Sequence, residues 1–287
     1  MKRKRAKPSR FTVAGLFLLI YFFRVIEFFR VRSDQSALGE AILHLILSLV
    51  ILPAVLARGR MNLRQIGFTK THSFREIFNG ALFACAIFFL SFSLERFILQ
   101  QLGRDPEFKV YVSKYVLNPE GNDHLVTLNA FALLAGGLLS AFVEEGIFRG
   151  LFITVAEKRY GFYKAVLISS FLYAIWANVP SLRYFSEGGE GFFTGILIGG
   201  IALISYFFLG IKYALEFELT GSLWFPLSEH FLHYILLRVL HVKTAYGTDE
   251  LYLMRQAFTQ ALSLICVLAV FLAIRHFSDQ QGGERGL

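Results

Sequence analysis

Two adjacent carboxylates and an arginine lie in Phe142-Val-Glu-Glu-Gly-Ile-Phe-Arg-Gly150, inside a stretch otherwise apolar enough for a bilayer. Ionisable side chains at that depth are costly to keep and point to a function. On a helix successive residues turn by roughly 100°, so Glu145 and Arg149, at i and i+4, share a face while Glu144 points elsewhere. The acid-before-base order lets Arg149 neutralise Glu145. Glu144 is left as the carboxylate without a local partner, and it is the candidate for chemistry.

A second polar group follows in Thr220-Gly-Ser-Leu-Trp-Phe-Pro-Leu-Ser-Glu-His-Phe-Leu-His-Tyr234. Pro226 reads as a helix beginning. His230, His233 and Tyr234 are then three and four residues apart and fall on one side, where they would line a cavity. Imidazole or phenol can donate a hydrogen bond to the oxyanion formed when water attacks an amide, and imidazole can also pass a proton to the leaving nitrogen. Glu229 is expected to pair with His233. The plainer alternative is a polar helix patch making interhelical hydrogen bonds.

The elements that must position these groups are transmembrane helices. The 287 residues are 55% hydrophobic and 17% charged, with a mean hydropathy of +0.53, too apolar for a soluble chain of this length. The expected fold is an all-α, polytopic membrane bundle with about eight spans, near 11–29, 37–57, 77–99, 125–156, 163–179, 192–210, 220–240 and 257–277. The run from Leu125 to Ala156 exceeds one membrane thickness, so it is tilted or carries a helical extension. One integral domain over 1–287 is expected, with a basic tail at 1–10 and the chemistry within 125–240.

The net charge of +8 argues for the lipid surface and against nucleic acid, because the bases flank the spans. Met1-Lys-Arg-Lys-Arg-Ala-Lys and the connection holding Arg58, Arg60, Arg64, Lys70 and Arg75 share a side if the first spans form a hairpin. That is the positive-inside pattern and puts the N-terminus in the cytoplasm; an even number of spans returns the C-terminus there. The first apolar run contains Arg24 and Glu27 and lacks a small-residue cleavage site, which argues against a secretory signal. The 58–75 connection suits a surface helix with Leu63, Ile66 and Phe68 dipping into the interface, or a solvated loop. The 100–124 loop reads as a connector on the exterior side, with a cover over a cavity mouth as the alternative. Cys85 and Cys266 lie in apolar spans and are expected to be buried free thiols. Gly146 with Gly150, and Gly195 with Gly199 and Gly200, suit close helix packing. Arg24, Glu27, Glu40, His44 and Glu95 are expected near helix ends, reaching the interface.

Glu144-Glu145-x-x-x-Arg149 followed by Gly-Leu-Phe, with Thr-Gly-Ser-Leu-Trp-x-Pro-x-x-x-His230 downstream, resembles the CPBP family of glutamic intramembrane proteases. That family includes type II CAAX prenyl endopeptidases and bacteriocin-processing proteins, and the likeness spans roughly residues 125–240. It implies Glu144 as the general base that activates water and His230 as part of the oxyanion site. Two positions depart from the family pattern. In Ser169-Ser-Phe-Leu-Tyr-Ala-Ile-Trp-Ala-Asn-Val-Pro180 the register from Tyr173 puts Ala177 where the second motif has histidine. Asn178, next to it, could donate a hydrogen bond but not relay a proton. Tyr234 stands where the third motif has asparagine, and a phenol can take over as an oxyanion donor.

The expected activity is hydrolysis of a peptide bond in a membrane-associated or lipidated peptide, without cofactor or metal. Zinc is the minority alternative, since there is no His-Glu-x-x-His and His230-x-x-His233 fixes no tetrahedral set. A degenerate scaffold that binds a peptide or protein partner without cutting it is the rival class. A transporter using Glu144 as a proton site lacks the inverted repeat such folds show.

Overall fold

Several charged side chains are buried and many large apolar ones are outside. Phe74, Phe89, Phe131, Phe193 and Leu253 are well exposed, whereas Glu95, Glu145, Arg149, Lys212 and Arg255 are almost completely enclosed. An exterior of this kind is stable against lipid rather than water. The structure is a computed structural model that describes residues 10–35, 40–112, 126–183 and 192–284.

Each expected span is occupied by a helix. These are α1 (Arg10–Ile26), α2 (Leu43–Arg58), α3 (Ser73–Gln101), α4 (Val126–Glu144) continued into α5 (Ile153–Tyr160), α6 (Phe162–Ala177), α7 (Phe192–Thr220), α8 (Trp224–Val239) and α9 (Tyr252–Glu284). A π-helical stretch, Glu145–Phe152, joins α4 to α5. Four stretches are long and apolar enough to cross a membrane: Ser73–Gln101, Ala130–Tyr160, Gly195–Thr220 and Tyr252–Phe277. The long fourth apolar run is one helical stretch, Ala130–Tyr160, long enough to cross either tilted or with an extension beyond the bilayer. Two shorter apolar helices are α2 and α6. A 16-residue helix such as α6 or α8 rises about 24 Å, less than the roughly 30 Å of bilayer hydrocarbon.

Helix α8 packs along α3 and against α4, α6 lies along α7, and α2 reaches α4. The α3–α8 seam is close: a Cβ at Gly80 would stand 2.4 Å from the Phe225 carbonyl oxygen. Gly150 is similarly confined, 2.7 Å from the Ile66 carbonyl oxygen, so the packing expected of Gly146 and Gly150 is present. Gly200 faces open space instead.

Three other expectations change. The 58–75 connection is no interfacial helix: beyond a short turn at Leu63–Ile66, Ile66 and Phe68 are buried, and Phe68 stacks on Phe142 at 4.6 Å. Trp224 Nε1 fixes this connection by donating to the Thr69 carbonyl at 2.6 Å. Cys85 is an exposed thiol on α3, because the outer face of a membrane helix is apolar too; Cys266 is half-buried. The 100–124 loop contains a strand, β1 (Glu107–Val110), antiparallel to β2 (Leu240–Lys243). The basic tail up to residue 9, the rest of that loop from 113 and the connection 184–191 lie outside the described residues.

Candidate active site

The π-helical turn sits at the paired acids. Helix α4 ends at Glu144, and from Glu145 to Phe152 every residue is buried. Such widened turns are rare and recur at functional sites. Two glycines in eight residues, Gly146 and Gly150, weaken the preference for regular α-helix here.

Glu145 is completely buried and shared by two partners. Its Oε2 is 3.3 Å from Arg149 Nε, the expected i, i+4 pair, and its Oε1 is 2.8 Å from His230 Nδ1 on α8. Arg149 lies over two aromatic rings, 4.1 Å from the centroid of Tyr173 and 5.1 Å from that of Tyr213. Tyr213 also stacks nearly flat on His230, with centroids 5.1 Å apart and 12° between the planes. His230 is thus held by a carboxylate at one nitrogen and a phenol ring on its face.

Glu144 turns away from that frame into a cavity of about 210 Å³. Ser140, one turn earlier, donates its hydroxyl to Glu144 Oε1. Glu144 Oε2 lies 3.8 Å from His230 Nε2, too far for a direct hydrogen bond and within reach of a shared water. His233, Tyr234 and Ala177 also line the cavity. Tyr234 donates to Glu40 Oε2, and the Arg238 guanidinium lies 4.2 Å over its ring while bonding to the same carboxylate.

Two sequence expectations give way. Asn178 is not part of the cavity wall: its Nδ2 donates to the Gly199 carbonyl at 3.1 Å, tying the end of α6 to α7. Glu229 does not pair with His233, which packs edge-on against Phe88 at 5.1 Å; Glu229 accepts from Lys212 of α7, which is also 3.5 Å from Glu216.

The sequence also misplaced the isolated charges. Arg24, Glu40 and His44 line the cavity, Glu27 holds His44, and Glu95 pairs with Arg255 at 2.6 Å. Each lay near the end of an apolar run, where a path to water was open in one dimension; tertiary contacts close it. The one available signal was their number, since five ionisable groups within predicted spans exceed what interface anchoring requires. Among the described residues no three His, Cys, Asp or Glu side chains are grouped to hold a metal.

The two motifs, 85 residues apart in sequence, meet through His230 and Glu145. Residues 126–236 match the Rce1-like family model, that of type II CAAX prenyl endopeptidase Rce1-like. The matched segment, similar to that family, contains Glu144, Glu145, Arg149, Ala177, His230 and Tyr234, and α1, α2, α3 and α9 lie outside it. No curated protein and no solved structure matches the chain.

Proposed function

We propose that this integral membrane protein is an intramembrane endopeptidase that uses a glutamate-activated water. The observation that carries the reading is the pairing of Glu144, turned into the cavity, with His230 of α8 at 3.8 Å. Glu144 takes a proton from a water bonded to it as the oxygen attacks the scissile carbonyl. His230, acting as an imidazolium with its Nδ1–H donated to Glu145, offers its Nε2–H to the oxyanion; Tyr234 stands in the same wall with its hydroxyl given to Glu40. When the tetrahedral intermediate breaks, the C–N bond cleaves and the proton held by Glu144 passes to the leaving nitrogen, which regenerates the carboxylate. Glu145 and Arg149 are the fixed charged frame behind His230, and His233 is in reach of the cavity as a further imidazole. The substrate class is a membrane-associated or lipidated peptide, in keeping with the Rce1-like segment.

The test is cleavage of a farnesylated peptide ending in Cys-aliphatic-aliphatic-X, beside a panel of transmembrane peptides, by the full chain in lipid vesicles. Fragments from the wild type and none from a well-expressed E144Q variant support the reading; equal cleavage by E144Q removes it. The chemistry is written with carboxylate and imidazole alone, so activity is expected to survive chelators, and chelator-sensitive activity restored by zinc would replace this mechanism with a metal-assisted one.

A second reading rests on Ala177, which puts a methyl group in the cavity wall where the resemblance implies an imidazole. On that reading the bundle binds its peptide without cutting it. Wild type and E144Q would then retain the same peptide in a vesicle pull-down, and neither would release fragments.

A further inference from the structure

Ala177 leaves its own place in the cavity wall, at the end of α6, without a polar side chain, and a different part of the chain comes to it. The guanidinium carbon of Arg24, from α1, lies 3.7 Å from the ring centroid of Trp176, the residue before Ala177. Arg24 and Ala177 both line the cavity that Glu144 and His230 face. Neither α1 nor α2 belongs to the Rce1-like segment.

The placement of Arg24 is built. Its Nη1 is 2.7 Å from His44 Nε2. A guanidinium only donates, so His44 accepts at Nε2 and carries its proton on Nδ1. That Nδ1 is 2.5 Å from Glu27 Oε2. Glu27 in turn accepts the backbone N–H groups of Leu43 at 2.9 Å and His44 at 2.5 Å, the first of α2, together with the Ser33 hydroxyl. A helix start has donors to spare and favours a carboxylate, which gives the array a rigid foundation. The chain of contacts from α2 through Glu27 and His44 to Arg24 fixes the guanidinium edge-on, and Trp176 fixes its face. Because both His44 nitrogens are engaged, His44 holds Arg24 rather than moving protons itself.

We propose that Arg24 is a catalytic residue of this site, donating to the oxyanion in the place an α6 imidazole would take, with His44 and Glu27 as positioning residues. This rests on the hydrolase reading above. The guanidinium stays protonated through the reaction, so the proton balance is unchanged: Glu144 alone takes the proton of water and returns it to the amine.

The experiment measures cleavage of the farnesylated peptide by the full chain in vesicles, with wild type, E144Q, R24A and H44A in parallel. R24A is expected to lose about 100-fold in kcat with KM within about threefold, as for removal of one oxyanion donor. Millimolar guanidinium should restore R24A and leave E144Q inactive, a response that a purely structural role would not give. H44A, which unseats Arg24 without removing it, should lose about tenfold in kcat and decides the matter if R24A does not fold. A folded R24A with wild-type kcat, one that guanidinium does not restore, or an H44A with wild-type kcat overturns the proposal. When wild type cleaves and E144Q does not, those outcomes remove Arg24 alone; absence of cleavage by wild type removes the hydrolase reading and this inference together.

Discussion

Glu144 and Glu145 are neighbours in sequence with opposite surroundings, and substitution should separate them. Glu145 is enclosed between Arg149 and His230, so E145Q leaves a buried guanidinium without its carboxylate. Breaking a buried pair from one side costs about 3–5 kcal/mol. E145Q is therefore expected to lower the melting temperature in detergent as well as activity, whereas E144Q, whose carboxylate faces the cavity, should abolish cleavage and melt close to wild type. A thermal melt of both proteins checks this. The division between the two acids was legible from helical spacing alone, because Arg149 lies one turn from Glu145. The second partner of Glu145 was not legible: His230 arrives from α8 and the contact has no local signature. Asn178 went the other way. It stood beside the expected motif position, but the end of α6 turns its amide to α7.

At the scale of elements, the α3–α8 seam sets where His230 stands. Gly80 meets backbone there rather than a flexible side chain, so G80A should destabilise by about 1–3 kcal/mol and lower kcat as α8 is displaced, read by thermal melting and kinetics on the same preparation. The corner between β2 and α9 is held by charge. Asp249 has a left-handed φ of 56° and accepts from His241 Nδ1 at 2.6 Å, the Val242 N–H at 3.0 Å and Arg255 Nη2 at 3.0 Å. Burial opposes its charge, but these donors outweigh burial and hold its pKa below the ordinary 3.8. A depressed carboxylate contributes stability above the unfolded pKa and loses it as the pH falls through the folded value. D249N keeps the backbone preference, since asparagine also tolerates this φ, and should melt below wild type at pH 7, with the gap closing below pH 3.8. Apolar runs made the helices legible. The π-helical turn and the four-residue strands were not, because the first is a local phase change and the second are too short to show alternation.

Among the described residues, acids and bases are paired in the interior, several of them around a cavity, while many large apolar side chains face outward. Composition foretold this, since 55% hydrophobic residues cannot all be buried in 287. The contribution of α1 and α2 to the cavity was hidden, because it depends on how they pack rather than on what they contain. If the flanking bases keep both termini in the cytoplasm, cysteines introduced near residues 5 and 283 should react with impermeant maleimide only in inverted vesicles. Labelling at opposite faces would require an odd number of crossings. The central claim is narrower and is met by one comparison: product mass spectra from wild type and E144Q given the same farnesylated peptide in the same vesicles. The account predicts two fragments from the wild type and intact peptide from E144Q; fragments released equally by both proteins would contradict it.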